Sequence, residues 1–144
     1  MQGVVIKSTG SWYVVKTDDG ELLNCRIRGK FRMQDIKSTN PIVVGDKVLL
    51  SNEDDSFIID ELFDRKNIIV RKSVNLSKQT HILASNIDQA ILVVTMQSPQ
   101  TSTGFIDRFL VSAQAYGVDV IILFNKTDLF DKATLVLLEE RRSI

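Results

Sequence analysis

The stretch that decides the fold spans residues 118–128 and reads Val118-Asp119-Val120-Ile121-Ile122-Leu123-Phe124-Asn125-Lys126-Thr127-Asp128. The run is apolar and rich in β-branched residues as far as Phe124, and four polar residues follow it. Such a run is typical of a parallel strand that is buried on both faces. Ligands of open α/β sheets bind beyond the carboxyl ends of the strands, so the polar end is predicted to be a binding loop.

The polar residues of this loop suit one kind of ligand. Guanine presents a ring N–H beside an exocyclic amino group, and the carboxylate of Asp128 can accept a hydrogen bond from each. The amide of Asn125 can brace the loop or contact the purine, and the stem of Lys126 can lie over the base with its ammonium in water. The alternative interpretation is a polar strand-to-helix turn with Asp128 near a helix N-terminus. The first interpretation assigns guanine binding to Asn125, Lys126 and Asp128.

A strand and a helix are predicted upstream of this loop. Residues 87–95 end in an apolar run that favours a buried strand, and residues 96–102 form a connection. Ser102 or Thr103 is predicted to cap a helix that ends at Gly117. The apolar residues of this helix recur at helical spacing, namely Phe105, Ile106, Phe109, Leu110 and Ala113. Together these elements predict a right-handed βαβ unit, and a second helix is predicted from residue 131.

The first sixty residues show a different pattern, with short strands separated by turn residues. The predicted strands cover residues 3–7, 12–16, 21–33, 46–50 and 57–62. Five strands without a helical period indicate a small closed all-β barrel, and the pattern changes to α/β in the second half of the chain. We therefore divide the chain into a barrel domain (1–72), a linker (73–85) and the α/β part (86–144).

The third predicted strand carries an alternating row of cations. Its period of two puts Arg26, Arg28, Lys30 and Arg32 on one face of the strand. A solvated outer face of a barrel strand is one interpretation. The other is an RNA-binding track, because a row of cations can displace counterions from a phosphate backbone. Of the adjacent residues Trp12 and Tyr13, at most one is expected on the surface, where it could stack on bases.

The overall composition sets broad limits. Eighteen basic residues balance 18 acidic ones, so net charge does not point to a nucleic-acid partner, and 44% hydrophobic with 25% charged residues describes a globular protein. The single cysteine, Cys25, cannot form an intrachain disulfide, and with only His81 it cannot build a zinc site. No apolar run is long enough to span a membrane. We expect a cytoplasmic protein without a membrane partner.

Several segments together resemble one family. Asn125 to Asp128 look like the NKxD guanine-specificity motif of GTPases. The segments RKSVNLSKQT (71–80), ASNIDQA (84–90) and FIDRFL (105–110) are similar to the ribosome small-subunit-dependent GTPase A family, RsgA, also called YjeQ. The resemblance runs over essentially all 144 residues.

The resemblance implies a ribosome-biogenesis GTPase, with an all-β OB-fold barrel followed by an incomplete α/β domain of the P-loop GTPase type. Its OB-fold would bind the small ribosomal subunit and its rRNA, and its circularly permuted GTPase domain would bind GTP or GDP. The full-length form would hydrolyse GTP during late small-subunit maturation, with Mg²⁺ and a structural Zn²⁺ expected only in that full-length form. The alternative is a stand-alone RNA- or ribosome-binding module without nucleotide hydrolysis.

No phosphate-binding loop follows from the glycine positions. The seven glycines, at 3, 10, 20, 29, 45, 104 and 117, do not fit the spacing GxxxxGK(S/T). We therefore expect a truncated GTPase domain that is inactive alone, and we assign no catalytic or metal-binding residue. Two strands and two helices cannot cover their own apolar faces. We therefore expect self-association, docking on the barrel, or partial disorder near the C-terminus. The residues expected to be exposed are Leu92, Val93, Ile121 and Leu123.

Overall fold

The first part of the chain is a closed barrel of five strands. The computed structural model describes residues 1–28, 41–53, 56–72, 80–130 and 135–136. The barrel strands are β1 (Gln2–Ser8), β2 (Tyr13–Thr17), β3 (Leu22–Ile27), β4 (Lys47–Glu53) and β5 (Ser56–Leu62). Their order is β1-β2-β3-β5-β4, and only β3 and β5 are parallel among the described barrel pairs. The predicted OB-type barrel is confirmed, and the predicted continuation of β3 beyond residue 28 lies outside the described residues.

The barrel closes around one apolar core because alternate residues of each strand point inward. Tyr13, Val15 and Ile59 are fully buried. Trp12 is 47% exposed, so only one of the two adjacent aromatic residues lies on the surface, as predicted. Cys25 is also fully buried, and its burial raises the pKa of the thiol to about 11. The barrel thus has a core of its own.

Two further strands lie outside the barrel. β6 (Ile68–Lys72) and β7 (Thr80–Ser85) form a separate antiparallel pair. Sequence reasoning instead assigns residues 64–72 to a last barrel strand or its exit, and residues 73–85 to a linker. The structure differs because β1 and β4 already pair with each other, which leaves no barrel edge for β6. Sequence patterns do not reveal β7 because the polar residues 73–79 precede it. Those residues lie outside the described ranges.

The second half contains the predicted βαβ unit. Strands β8 (Gln89–Thr95) and β9 (Asp119–Asn125) are parallel, and helix α1 (Thr103–Ala115) connects them. Ser102 is the N-cap residue, with its side chain accepting a hydrogen bond from the Phe105 amide, and Gly117 follows the helix at φ 68°. These helix boundaries confirm the prediction. Of the second predicted helix, only residues 135 and 136 are described. No helix in the described ranges has the length and apolar character to cross a membrane.

The two faces of the β8–β9 sheet differ in their environment. Leu92 and Val94 are buried on the face that carries α1. The opposite face exposes Ile91 (59%), Val93 (55%), Ile121 (46%) and Leu123 (46%). The expectation that Leu92 is exposed is therefore wrong, because strand alternation turns it toward the helix while its neighbours face outward. An apolar sheet face remains uncovered in the described structure.

A buried carboxylate joins the barrel to the strands that follow it. Asp46 is fully buried and accepts hydrogen bonds from Nε and Nη2 of Arg65, each at 2.7 Å. It also accepts from the Ser85 hydroxyl at 2.5 Å and from the Val43 amide at 2.8 Å. A buried charge is tolerated when it is paired and hydrogen-bonded. Asp46 therefore connects the start of β4 in the barrel to the end of β7. This contact region is called the joint below.

Close backbone packing reinforces the same joint. The Ser85 amide donates to the Val44 carbonyl at 2.9 Å, and the Asn86 side chain donates to the Gly45 carbonyl at 2.9 Å. Gly45 has φ of 92°, and a Cβ at this position would overlap the Ser85 carbonyl oxygen. Only glycine combines this backbone conformation with so close an approach.

One asparagine links this joint to the α/β part. Asn67 is buried, and its side chain donates to the carbonyl of Ile87 at 2.7 Å and to that of Gly117 at 3.3 Å. Its Oδ1 accepts from the Ile87 amide at 2.7 Å. Since Gly117 lies just before β9, a chain of partly buried hydrogen bonds connects the barrel to β9.

Candidate functional site

The loop predicted to bind guanine covers residues 125–130 and begins where β9 ends. It is called the guanine-type loop below. Lys126 lies in the left-handed region at φ 58° and ψ 39°, which turns the chain away from the sheet. Residues Thr127–Leu129 then form a 3-10 turn, with the Leu129 amide donating to the Lys126 carbonyl at 3.1 Å. The Asn125 Oδ1 accepts from the Lys126 amide at 2.9 Å, so this side chain braces the loop. Phe130 is buried and anchors its far end.

The side chains predicted to bind guanine are brought together at one edge of the sheet. Asn125, Lys126 and Asp128 are all exposed. Within the part of the chain that the structure describes, no hydrogen bond or ion pair engages the Asp128 carboxylate. A carboxylate in this position can accept two hydrogen bonds from a ligand with adjacent N–H donors.

A second loop lies beside the first and was not identified from the sequence. The parallel register places Thr95, the last residue of β8, opposite Asn125. The loop that follows β8 reaches the guanine-type loop, since Nζ of Lys126 donates to the Ser98 carbonyl at 2.5 Å. Sequence reasoning treats residues 96–102 only as a connection. The parallel register alone would have predicted that the two loops lie side by side. It would not have predicted the hydrogen bond between them.

The two described members of the cation row have different surroundings. Arg26 lies over the exposed ring of Trp12, with its Cζ 3.9 Å from the ring centroid. The pairing of Tyr13 with Cys25 brings these two side chains together across β2 and β3. A guanidinium stacked on an indole is a favourable cation–π arrangement that leaves the charge accessible to solvent.

Arg28, in contrast, is engaged by two carboxylates. Its Nη2 lies 2.5 Å from Glu53, and its Nε donates to Asp60 at 2.8 Å. The hydrogen bonds to Glu53 and Asp60 raise the pKa of Arg28 above its ordinary value. The two acidic groups offset the charge that Arg28 would otherwise present to a phosphate. The other predicted members of the row, Lys30 and Arg32, lie outside the described residues.

The described residues contain no group of three or more histidine, cysteine or acidic side chains arranged to hold a metal ion. They offer no site that fits the Mg²⁺ or Zn²⁺ expected of a full-length family member. The candidate site consists of the loop after β9, which is predicted to bind guanine, and an Arg–Trp surface on the barrel.

The fold and the loop define a class of protein, in which an OB-type barrel is joined to a GTPase-like βαβ unit. Two solved structures share this arrangement over 99% of the chain. One is YjeQ from Thermotoga maritima, with a TM-score of 0.70 and 36% sequence identity, and the other is YloQ, a circularly permuted GTPase, with a TM-score of 0.67 and 28% identity.

The chain belongs to the RsgA family. The sequence profile of the RsgA N-terminal domain matches residues 2–57, and that of the RsgA GTPase matches residues 62–143. The chain is 59% identical over 140 residues to the small ribosomal subunit biogenesis GTPase RsgA of Bacteroides fragilis. It is 56% identical over 139 residues to the protein of the same name from Flavobacterium psychrophilum.

The chain spans less than half of the length of these proteins. The match covers 96% of this chain but 45% of the Bacteroides fragilis protein, and 47% of the Thermotoga maritima YjeQ chain. The family is one of GTPases, which implies guanine nucleotide as the ligand class.

Proposed function

We propose that this chain is the portion of a small-subunit biogenesis GTPase that recognises the guanine base and contacts ribosomal RNA. The observation that carries the proposal is the exposed Asp128 carboxylate on the turn after β9, with Asn125 and Lys126 beside it. The 59% identity to a small ribosomal subunit biogenesis GTPase supports the assignment. The whole protein would act in the cytoplasm, on the maturing small subunit.

The base selectivity follows from hydrogen-bond chemistry. Guanine offers Asp128 two N–H donors, whereas adenine presents a ring acceptor at the corresponding position and repels the carboxylate. A hydrogen bond to a charged group contributes about 1.5–3 kcal/mol. Lys126 would cover the base with its aliphatic stem, and Asn125 would hold the loop in shape.

A nucleoside titration tests guanine recognition. Amide chemical shifts of the ¹⁵N-labelled chain are followed while guanosine, xanthosine or adenosine is added. We expect shifts in residues 125–130 with guanosine and none with adenosine. Asp128→Asn should abolish the guanosine response and favour xanthosine, because the asparagine amide can donate to the carbonyl that replaces the exocyclic amino group of guanine.

The control is Asp119→Asn, which changes an exposed carboxylate at the opposite end of the same strand. It should leave the guanosine response intact. If the wild-type chain binds RNA but shows no guanosine response at any concentration, the guanine proposal fails and the alternative of a stand-alone RNA-binding module is supported.

For RNA contact we propose the barrel surface around Arg26 and Trp12. The Arg26 charge is exposed and is carried by an aromatic platform, and both groups are suited to a single-stranded nucleic acid. Arg28 should contribute less because Glu53 and Asp60 already neutralise it. Lys30 and Arg32 remain part of the proposed track on the basis of their alternation alone.

Fluorescence anisotropy with a labelled RNA from the small subunit tests this surface at two salt concentrations. Arg26→Gln should weaken binding and reduce the magnitude of the slope of log K against log salt by about one. Arg28→Gln is the matched control and should have the smaller effect. Equal affinity of wild type and Arg26→Gln at low salt would remove this surface from the proposal.

Hydrolysis is proposed only for the whole protein. The β- and γ-phosphates and Mg²⁺ require a GxxxxGK(S/T) loop, and the sequence of this chain contains none. We expect no phosphate release from GTP by the purified chain, with or without small subunits. Turnover that co-purifies with the chain, and is abolished by Asp128→Ala, would contradict this expectation.

A further inference from the structure

Two strained backbone positions face each other at the guanine-type loop. Ser98 and Lys126 have φ values of 49° and 58°, a region that non-glycine residues rarely occupy. The Lys126 ammonium donates to the Ser98 carbonyl, so the two unusual conformations are joined by a charged hydrogen bond. Both residues lie just beyond the carboxyl ends of adjacent parallel strands.

The loop that presents Ser98 is closed by two threonines. The Thr101 hydroxyl accepts from the Thr95 amide at 3.0 Å, and the Thr101 amide donates to the Thr95 carbonyl at 2.8 Å. The Thr95 hydroxyl donates to the Pro99 carbonyl inside the same loop. These bonds pin both ends of residues 95–101 to the last position of β8, which in turn pairs with Asn125.

We infer that Thr101 is a positioning residue for guanine recognition. Thr101 closes the 95–101 loop, and the closed loop places the Ser98 carbonyl where it accepts a hydrogen bond from the Lys126 ammonium. The tether orders the Lys126 side chain before a base arrives. This inference rests on the proposed guanine-binding function.

The energetic reason is the entropy of a lysine side chain. A free lysine populates many rotamers, and ordering such a side chain upon binding opposes association. A side chain already held by Ser98 has lost part of this freedom, so guanosine binding has less conformational entropy loss to offset. Loss of the tether should therefore weaken guanosine binding by about two- to tenfold.

The test compares Thr101→Val with Thr101→Ser in the 144-residue chain. Valine keeps the shape of threonine but removes the hydroxyl that accepts from Thr95, and serine restores that hydroxyl. Guanosine affinity is measured by the amide-shift titration. We expect Thr101→Val to weaken binding and Thr101→Ser to restore it. Thr103→Val, two residues away on the exposed first turn of α1, is the matched control and should bind like wild type.

A double-mutant cycle separates positioning from a general loss of structure. Lys126→Met keeps an apolar stem but removes the ammonium that Ser98 holds. If Thr101 acts through this tether, Thr101→Val should have no further effect on guanosine affinity in the Lys126→Met background. Additive losses in the two backgrounds would overturn the inference.

The outcomes separate the inference from the function on which it rests. A wild-type chain that does not respond to guanosine ends both. A wild-type response that Thr101→Val leaves unchanged ends the inference while guanine recognition stands. If Thr101→Val perturbs amides throughout β8, β9 and α1, Thr95→Val replaces it, since that variant removes the hydroxyl that donates to the Pro99 carbonyl. Unchanged affinity in Thr95→Val then counts against the inference in the same way.

Discussion

The barrel and the β8–β9 sheet obtain their stability in different ways. Every barrel strand has a hydrogen-bonded neighbour on both sides, and the core residues, such as Val5 and Val48, are fully buried. The β8–β9 sheet has two strands, one face under α1, and an opposite face with four exposed aliphatic side chains. Closure makes the barrel independent of other surfaces, whereas an open sheet relies on whatever packs against it.

The joint between the two parts is neither core nor surface. Asp46, Arg65 and Ser85 form a buried polar cluster, and the backbone of Gly45 packs directly against that of Ser85. Such a cluster has directional hydrogen bonds, so it specifies one arrangement of the two parts more strictly than apolar contact would. We therefore expect substitutions in the barrel, the β8–β9 sheet and the joint to change stability by different amounts.

The largest effect is expected at the joint. Asp46→Ala removes the carboxylate that Arg65 contacts twice and leaves a partly buried guanidinium without its partner. We expect the free energy of unfolding in urea to fall by about 3–5 kcal/mol. Asp88→Ala is the control, because the Asp88 side chain is 97% exposed and 3.8 Å from Lys66, and it should have almost no effect. Equal stability of the two variants would show that the joint does not hold the parts together.

The next largest effect on the free energy of unfolding is expected from an isoleucine-to-alanine substitution in the barrel, which we compare with the same substitution in the β8–β9 sheet. Ile59→Ala empties a fully buried position in the barrel and should cost about 2–5 kcal/mol. Ile121→Ala changes a side chain that is 46% exposed on the open sheet face, and should change stability by about 0.5 kcal/mol or less.

A large loss in Ile121→Ala would mean that the open face is covered in solution. Sedimentation equilibrium of the wild-type chain would then distinguish the expected self-association from docking within one copy. A concentration-dependent mass identifies a second copy as the cover, and a constant monomer mass identifies docking within the chain.

The last effect is a pH dependence that arises in the barrel and is absent at neutral pH. Burial raises the pKa of Cys25 to about 11, whereas a thiol in an unfolded chain titrates near pH 8.5. Because the folded-state pKa is the higher one, this contribution is complete below about pH 8.5 and is lost as the pH rises toward 11. The slope should reach about 1.4 kcal/mol per pH unit in urea unfolding. Cys25→Ala should remove this component of the slope, and an unchanged slope would contradict the assignment.

Sequence reasoning was most successful where one periodic signal dominates. The alternation in residues 1–62 predicted the five barrel strands, and the spacing from Phe105 to Ala113 predicted α1 with a cap at Ser102 or Thr103, of which the structure uses Ser102. It was least successful for β7, whose neighbours are polar, and for Leu92, where an apolar run hides which residues face the helix. A continuous apolar run carries no information about sides, so only packing could assign them.

The candidate site shows the same division. The residue types from Asn125 to Asp128 are sufficient to suggest a guanine ligand, because donor and acceptor chemistry belongs to single side chains. The sequence by itself determined the barrel class, the βαβ unit and the family, and it predicts the base-recognition chemistry. Only the tertiary structure decided that Arg26 stacks on Trp12, that Arg28 is paired with two carboxylates, and that Lys126 is tethered to Ser98. Each of these contacts joins residues distant along the chain, and their partners are set by register and loop closure rather than by local pattern.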